Sequence, residues 1–235
     1  MNETQRYDVS IVGGGPAGCA AALFCGRPGL ETVLVANGRS TLRKCAYVEN
    51  YLGFPAGIEP RTLLTLAREH VEQSPCTVED GTVETVTEAN GSFRLELDGE
   101  EVHADHVLVA SWSDSDFRST LDIETEQEPD GPVQEIVMDG EGRTSVDGIW
   151  AAGRITGTHH QALVSARDGA RVALNLVGEM VPAFYDDWVA PEGYYEQHGR
   201  SIPVGVEEIS HDERTRRAEH GREWLIEFFE LQQSP

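Results

Sequence analysis

Residues 7–18 read Tyr7-Asp8-Val9-Ser10-Ile11-Val12-Gly13-Gly14-Gly15-Pro16-Ala17-Gly18, and this stretch decides the fold class. The first six residues are a short, largely apolar run followed by glycines, the pattern of a strand buried in a parallel sheet. Gly13-x-Gly15-x-x-Gly18 then follows that strand and opens a helix, the context in which this glycine spacing carries meaning. Gly13 permits the tight turn, Gly15 lets a diphosphate approach the backbone, and Gly18 lets helix and strand pack closely. The diphosphate would lie against the positive helix N-terminus, where Pro16 and Ala17 occupy the first helical positions.

The pattern continues on both sides of the next turn. Cys19 to Cys25 is small and apolar, suited to a tightly packed helix that ends at Gly26 and Pro28. Thr32 to Val35 supplies a second buried strand and completes a β-α-β unit. The acidic residue that usually holds the adenosine ribose at this point is absent, and Val35-Ala36-Asn37-Gly38 stands there instead. Asn37 either contacts the ribose or is simply a turn residue. Glu59-Pro60 opens a helix with Leu63, Leu64, Leu66, Ala67 and Val71 on its apolar face. From Cys76 to Val102, short alternating runs are separated by Asp80-Gly81, Asn90-Gly91 and Asp98-Gly99, the signature of an antiparallel meander.

Asp105 to Ala110 returns to a buried parallel strand, and residues 111–132 read as a polar, acidic connector. Two more strands are expected at Gln134–Met138 and Gly148–Ala152, then a helix over Thr158–Val177 with small residues along one side. An aromatic, proline-bearing stretch from Phe184 to Pro203 leads to a last helix starting at Ser210. There Ser210 and Glu213 fit a capping box, and Trp224, Leu225, Phe228 and Phe229 form the apolar face. The expectation is an α/β, Rossmann-like FAD/NAD(P)-binding domain. It has a parallel sheet with helices on one face, an antiparallel β-meander on the other, and a C-terminal helical tail. Residues 1–180 form the nucleotide domain, and residues 181–235 a tail expected to cover its apolar face.

The chain has 235 residues, with 41 acidic against 18 basic and a formal net charge of -23; Lys44 is its only lysine. The acids are scattered, with no block resembling an acidic tail. Such a surface suits a halophilic, salt-rich cytoplasm, where ions screen the repulsion, better than docking of a basic partner. The sign of the charge argues against nucleic acid, whose phosphates call for Lys and Arg patches. No apolar run approaches the roughly 18–20 residues of a membrane span, and the polar opening Met1–Arg6 is unlike a signal peptide, so a cytoplasmic location is expected. Cys19, Cys25, Cys45 and Cys76 form neither a C-x-x-C pair nor a ligand cluster. They read as reduced thiols, and no metal site is expected.

Four further segments narrow the ligand. They are Val48-Glu49-Asn50-Tyr51-Leu52-Gly53-Phe54-Pro55-x-Gly57-Ile58, Ala104-Asp105-His106-Val107-Leu108-Val109-Ala110-Ser111, Thr144-Ser145-Val146-Asp147-Gly148-Ile149-Trp150-Ala151-Ala152-Gly153, and His160-Gln161-Ala162 followed by Asp168-Gly169-Ala170. In this order they resemble, respectively, V-E-N-Y-P-G-F-P-x-G-I, the strand ending in A-T-G, T-S-x-P-G-V-F-A-A-G-D and R-Q-A…G-D-G-A of the thioredoxin reductases and related flavoprotein disulphide reductases. The resemblance implies FAD as cofactor. By it, Asn50 faces the flavin, Ala110 ends the strand beside the cofactor, and Gly153 lies along the ribityl chain. Gln161, with Ala162 after it, offers its backbone N–H to the pyrimidine edge, where a helix N-terminus stabilises negative charge.

The departures from that pattern matter as much. The family carries an inserted NADPH domain, with its own fingerprint and a C-x-x-C pair, where this chain has only the short acidic interval. Arg154 stands in place of the aspartate that binds the ribityl hydroxyls, Trp112 in place of the glycine of A-T-G, and Arg39-Ser40-Thr41-Leu42 in place of G-G-Q-L. The expected function is an FAD-dependent oxidoreductase whose flavin is reduced by a partner redox protein or a diffusible donor, in a homodimer. Arg154 and Trp112 motivate the rival reading, a non-catalytic nucleotide-binding protein or subunit; a small NAD-binding module is a third. Cys45 is a catalytic candidate beside Arg43 and Lys44, which favour a thiolate; its plainer reading is a small buried residue. His160 is a candidate proton carrier near the flavin, or with His159 only part of a helix-entry loop.

Overall fold

The computed structural model describes residues 5–112, 116–127, 134–184 and 187–232. They fall into two compact units, residues 1–177 and 178–235.

In the first unit, β1 (Arg6–Val12) is buried on both faces and leads into α1 (Pro16–Gly26), with Gly15 as its N-cap and Pro16 at the start. The wholly buried β2 (Thr32–Ala36) pairs parallel to β1. Next comes α2 (Pro60–Glu72), capped by the Glu59 carboxylate, which accepts from the Thr62 N–H at 2.7 Å. Leu63 and Val71 are buried from that helix. β3 (Thr77–Asp80) then adds to β2 in parallel, so this run belongs to the parallel sheet and not to the meander expected from Cys76 onward. The Asp80-Gly81 turn leads out of a parallel strand, a distinction that turn residues alone do not carry.

The meander is β4 (Val83–Ala89), β5 (Ser92–Leu97) and β6 (Glu100–Val109), with Asn90 and Asp98 in left-handed turns at φ 54° and 46°. Strand β6 is shared. Along one side it pairs parallel to β1, from Arg6↔His103 to Val12↔Val109. On its other side the first half pairs antiparallel to β5, and Val107–Val109 pairs parallel to β9 (Ile149–Ala151). One sheet therefore runs β3-β2-β1-β6-β5-β4, with β9 against the end of β6. The fold is the α/β, Rossmann-like one read from the sequence, with parallel and antiparallel parts joined in a single hydrogen-bonded sheet.

The connector is pinned more firmly than its polar composition suggests. Phe117 in the short helical turn Asp116–Thr120 is fully buried in the core, and Thr120 Oγ1 both receives the Val86 N–H and donates to the Val86 carbonyl. β7 (Thr125–Gln127) and β8 (Gln134–Ile136) form a small antiparallel pair; residues 113–115 and 128–133 lie outside the described set. After β9, the turn Gly153–Thr156 leads to α3 (Ala162–Met180).

The second unit holds a feature not read from the sequence. β10 (Trp188–Pro191) and β11 (Val206–Ile209) pair in parallel around the short α4 (Tyr194–Gln197), and α5 (His211–Leu231) follows. Trp188, Tyr194 and Tyr195 pack together there, while Tyr185 lies outside the described residues. Half of the expected capping box forms: Ser210 Oγ accepts from the Glu213 N–H at 3.2 Å, but the Glu213 carboxylate pairs with Arg216 and Arg217 instead of turning back. Of the expected apolar face, Phe228 is buried and Leu225 remains 45% exposed.

Candidate functional site: a cleft along the glycine turn

The glycines of the turn divide into two kinds. Gly13 sits at φ +117°, and a Cβ there would lie 2.8–2.9 Å from the Ala110–Ser111 backbone. A Cβ on Gly14 would lie 2.6 Å from that of Ala36, and one on Gly18 only 1.7 Å from the Gly13 carbonyl oxygen. The fold itself requires these three. Gly15 is different: its φ of -84° suits any residue, and a Cβ would meet only Ser40 Oγ, at 3.4 Å. Internal packing gives no reason for glycine at 15, whereas a ligand lying against the backbone does. The leading N–H groups of α1, which have no partner within the helix, point to the same place.

A narrow cavity of about 80 Å³ runs along this turn, walled by Asn37, Ser40, Ala110, Trp112 and Arg154. It opens into a wider one of about 490 Å³ that reaches Cys45, Asn50, His160, Gln161 and Ala162. Pro16, Ser40, Thr41, Arg154 and Ser165 line both, so the two adjoin along one side of the turn. At its near end the Asn37 side chain accepts from the Arg39 N–H at 3.0 Å and donates to Thr82 Oγ1 at 3.3 Å, bracing its own turn.

The far end is built from two distant segments. Val48 and Ile58 exchange backbone hydrogen bonds at 3.0 and 2.8 Å, closing a loop that presents Asn50. Asn50 Nδ2 donates to Gln161 Oε1 at 2.7 Å, tying that loop to the start of α3. The Gln161 N–H donates to the His159 carbonyl at 2.7 Å. In this structure the outward donors at the helix start are thus those from Ala162 onward, and Gln161 takes part through its side chain. His160 is exposed at the rim. Cys45 is exposed too, contrary to the buried reading, and among the described residues its thiol donates to the Tyr47 carbonyl at 3.0 Å. Cys19 and Cys25 are buried in α1, and burial pushes both thiols up to about 12. Half-buried Cys76 is pushed up to about 11, again by burial.

Behind the middle of the groove lie contacts that the sequence did not disclose. Asp168, 4% exposed on α3, accepts from the Gly153 N–H at 2.8 Å, from Thr158 Oγ1 at 3.3 Å and from Arg171 at 3.0 Å. One carboxylate therefore fixes the turn that carries Arg154. Gly169 lets α3 approach α1, since a Cβ there would lie 2.0 Å from the Ala17 carbonyl oxygen. The Arg154 guanidinium lies 3.6 Å from the centroid of the Trp112 ring. The two departures from the family pattern, 42 positions apart in sequence, thus stack on each other inside the cleft. Asp168 stands in the Asp168-Gly169-Ala170 segment that carried the family resemblance, which gave it no role; no local pattern signalled the Arg154–Trp112 pair.

Residues 7–128 match the sequence profile of the pyridine nucleotide-disulphide oxidoreductases, more than half of the chain. The chain belongs to that family. Thioredoxin reductase of Vibrio cholerae is 26% identical over 129 residues, 54% of this chain and 40% of the relative. The chain spans less than half the length of the curated relatives it matches. Among solved structures, a thioredoxin reductase from Gloeobacter violaceus superposes with a TM-score of 0.66 at 17% identity, covering 79% of this chain and 99% of that one. A ferredoxin-flavin thioredoxin reductase from Clostridium acetobutylicum gives 0.61 at 15% identity, covering 77% and 100%. These two establish the fold. Among the described residues no helix is long and apolar enough to cross a membrane, and no cluster of His, Cys, Asp and Glu is arranged to hold a metal.

Proposed function

We propose that the groove holds FAD and that the chain is an FAD-dependent oxidoreductase of the thioredoxin reductase type, fed with electrons by a partner redox protein or a diffusible donor. The observation that carries this reading is the groove from Gly15, past Arg154, to the Asn50–Gln161 pair. Its open glycine suits a diphosphate at one end, and its wide part suits a ring system at the other. Bound FAD supplies the redox chemistry, and the protein positions and tunes it. The Gly13–Gly18 turn seats the diphosphate, with Pro16 and Ala17 beneath it, Asn37 on the adenosine side, Ala110 as a wall and Gly153 packed behind against Ala17. Asn50 and Gln161 fix the ring's edge, and the N–H groups from Ala162 favour negative charge there. His160 at the rim is placed to carry a proton, and Cys45 to meet a disulphide or thiol substrate.

Between Trp112 and Gln134 the sequence has no second glycine fingerprint and no C-x-x-C pair. That interval supports an external donor, and a solved neighbour whose name joins ferredoxin to flavin offers a precedent of donor class. The remaining parts of the reading are a cytoplasmic setting rich in salt and a homodimer. The test begins with the absorption spectrum of the protein purified in molar KCl, which is expected to show flavin. Anaerobic stopped-flow mixing with NADPH and NADH should reduce that flavin slowly or not at all, while dithionite reduces it fully. Colourless protein that takes up no FAD would remove the cofactor from the reading. Saturable reduction by NADPH at tens per second, an ordinary turnover scale, would remove the external donor.

A further inference from the structure

We infer that Arg154, braced by Trp112, binds the diphosphate of the cofactor, so that the cleft selects its ligand by the anionic ADP half more than by the flavin half. The inference rests on the FAD reading above and specifies which chemistry the groove recognises.

A guanidinium carries donors and no acceptor, is always charged, and matches phosphate geometry with two N–H groups at once. A carboxylate at this place can accept from ribityl hydroxyls; Arg154 cannot, and the groups it favours are anionic oxygens. Its position fits that preference, because Arg154 lines the narrow part of the groove together with Gly13, Gly15 and Pro16 at the N-terminus of α1. Gly15 lines the cavity, and a Cβ there would meet only the Ser40 hydroxyl, at 3.4 Å, an independent sign of a ligand against this backbone.

The stack decides how the side chain is held. At 3.6 Å from the Trp112 centroid the guanidinium's face is occupied, which leaves recognition to the donors around its edge. Asp168 fixes the turn beneath it through the Gly153 N–H, so the side chain is restricted at both ends before any ligand arrives. The chain's net charge of -23 opposes an approaching diphosphate, and a positive charge at the centre of the cleft offsets that repulsion where the phosphates would sit. Trp112 and Arg154 are thus one device: the tryptophan has a cation to stack on, and the arginine has a platform.

A consequence is that nucleotides containing ADP compete with FAD at this site. Equilibrium dialysis of the purified chain in molar KCl, separately against FAD, ADP and riboflavin, reads it directly. FAD and ADP are expected to bind within about tenfold of each other, and riboflavin far more weakly. Arg154→Ala should weaken FAD and ADP alike, on the order of 10- to 100-fold, the worth of charge-assisted hydrogen bonds, and Arg154→Lys should recover part of the loss. Circular dichroism and thermal unfolding check the fold; if Arg154→Ala does not fold, Trp112→Phe, which keeps a ring but shrinks the platform, should show a smaller loss equal for both ligands.

Four results overturn the inference. They are unchanged binding in Arg154→Ala, a loss confined to FAD, tighter FAD binding by Arg154→Asp, and a wild-type chain that binds FAD but not ADP. In these cases the FAD reading stands. A wild-type chain that binds neither would sink both.

Discussion

Adding one methyl group to each of two glycines, Gly18→Ala and Gly15→Ala, should have opposite effects on stability and binding. At Gly18 the new Cβ would lie 1.7 Å from the Gly13 carbonyl oxygen, so helix and turn must part by well over 1 Å. They have little room to do so, because the preceding residue of α1, Ala17, already packs closely against Gly153 and Gly169. Overpacking typically costs about 1–3 kcal/mol, and with both faces blocked the upper figure applies. At about 2–4 °C per kcal/mol for a unit of this size, the melting temperature falls by roughly 6–12 °C. At Gly15 the backbone is compatible with alanine and the nearest atom is a movable hydroxyl at 3.4 Å. The loss of an N-cap glycine and the gain from a stiffer unfolded chain nearly cancel, to within about 0.5 kcal/mol. Yet the methyl occupies the place where the diphosphate would touch the backbone, and flavin content should drop on the order of 100-fold. Thermal unfolding and flavin absorbance of the two proteins, side by side, decide the matter. A Gly18→Ala protein as stable as wild type, or a Gly15→Ala protein with full flavin, would refute the division of these glycines into structural and ligand-facing.

Asp168→Ala strips the acceptor from the buried Gly153 N–H and from Arg171; urea unfolding should register a loss of about 2–4 kcal/mol, and a loss under 1 kcal/mol would mean the carboxylate does not fix the turn. With a net charge of -23, stability should rise steeply from low salt to molar KCl as repulsion is screened; a flat response in thermal melts would discard the saline-cytoplasm reading. The buried thiols give a pH dependence. Burial holds Cys19 and Cys25 protonated up to about 12 in the folded chain, whereas the unfolded thiols ionise from about 8.5. The unfolded state then holds fewer protons, so stability should fall as pH rises past that value, by up to about 1.4 kcal/mol per unit for each thiol. The double variant Cys19→Ala/Cys25→Ala should show a shallower fall, and equal slopes would contradict the assignment.

Much of this was legible because it is local. The β-α-β unit shows in residues 7–36, since a buried strand, a glycine turn and a small-residue helix each leave a short pattern. The Glu59-Pro60 start of α2 is equally local, set by one carboxylate and one ring. What escaped depends on partners far apart in the chain. Nothing in Thr77–Asp80 reveals that it pairs with β2 and not with the meander, and nothing in Glu100–Val109 reveals a strand with a different neighbour along each half. Asn50 and Gln161 were each singled out, but their hydrogen bond was not. The second unit's parallel pair was hidden by an aromatic stretch with no alternation to mark it. Trp112 and Arg154 stood out singly as departures, and only the three-dimensional fold reveals them as a pair.

Strand β1 is made first and completed late. Its register partner on one side ends at Val109, and the helix that packs against α1 brings Gly169 only after that. During synthesis at about 5–20 residues per second, the glycine turn emerges roughly 5–20 s before the strand that holds its far side. Over that interval one edge of β1 lacks its partner strand, and the proposed groove lacks the wall that Ala110 supplies. If the groove takes FAD as proposed, loading is a late event that reports a finished sheet. High sequence separation between paired strands also makes refolding slow, so a bound nucleotide would act as a latch, trapping the chain once α3 has closed on α1.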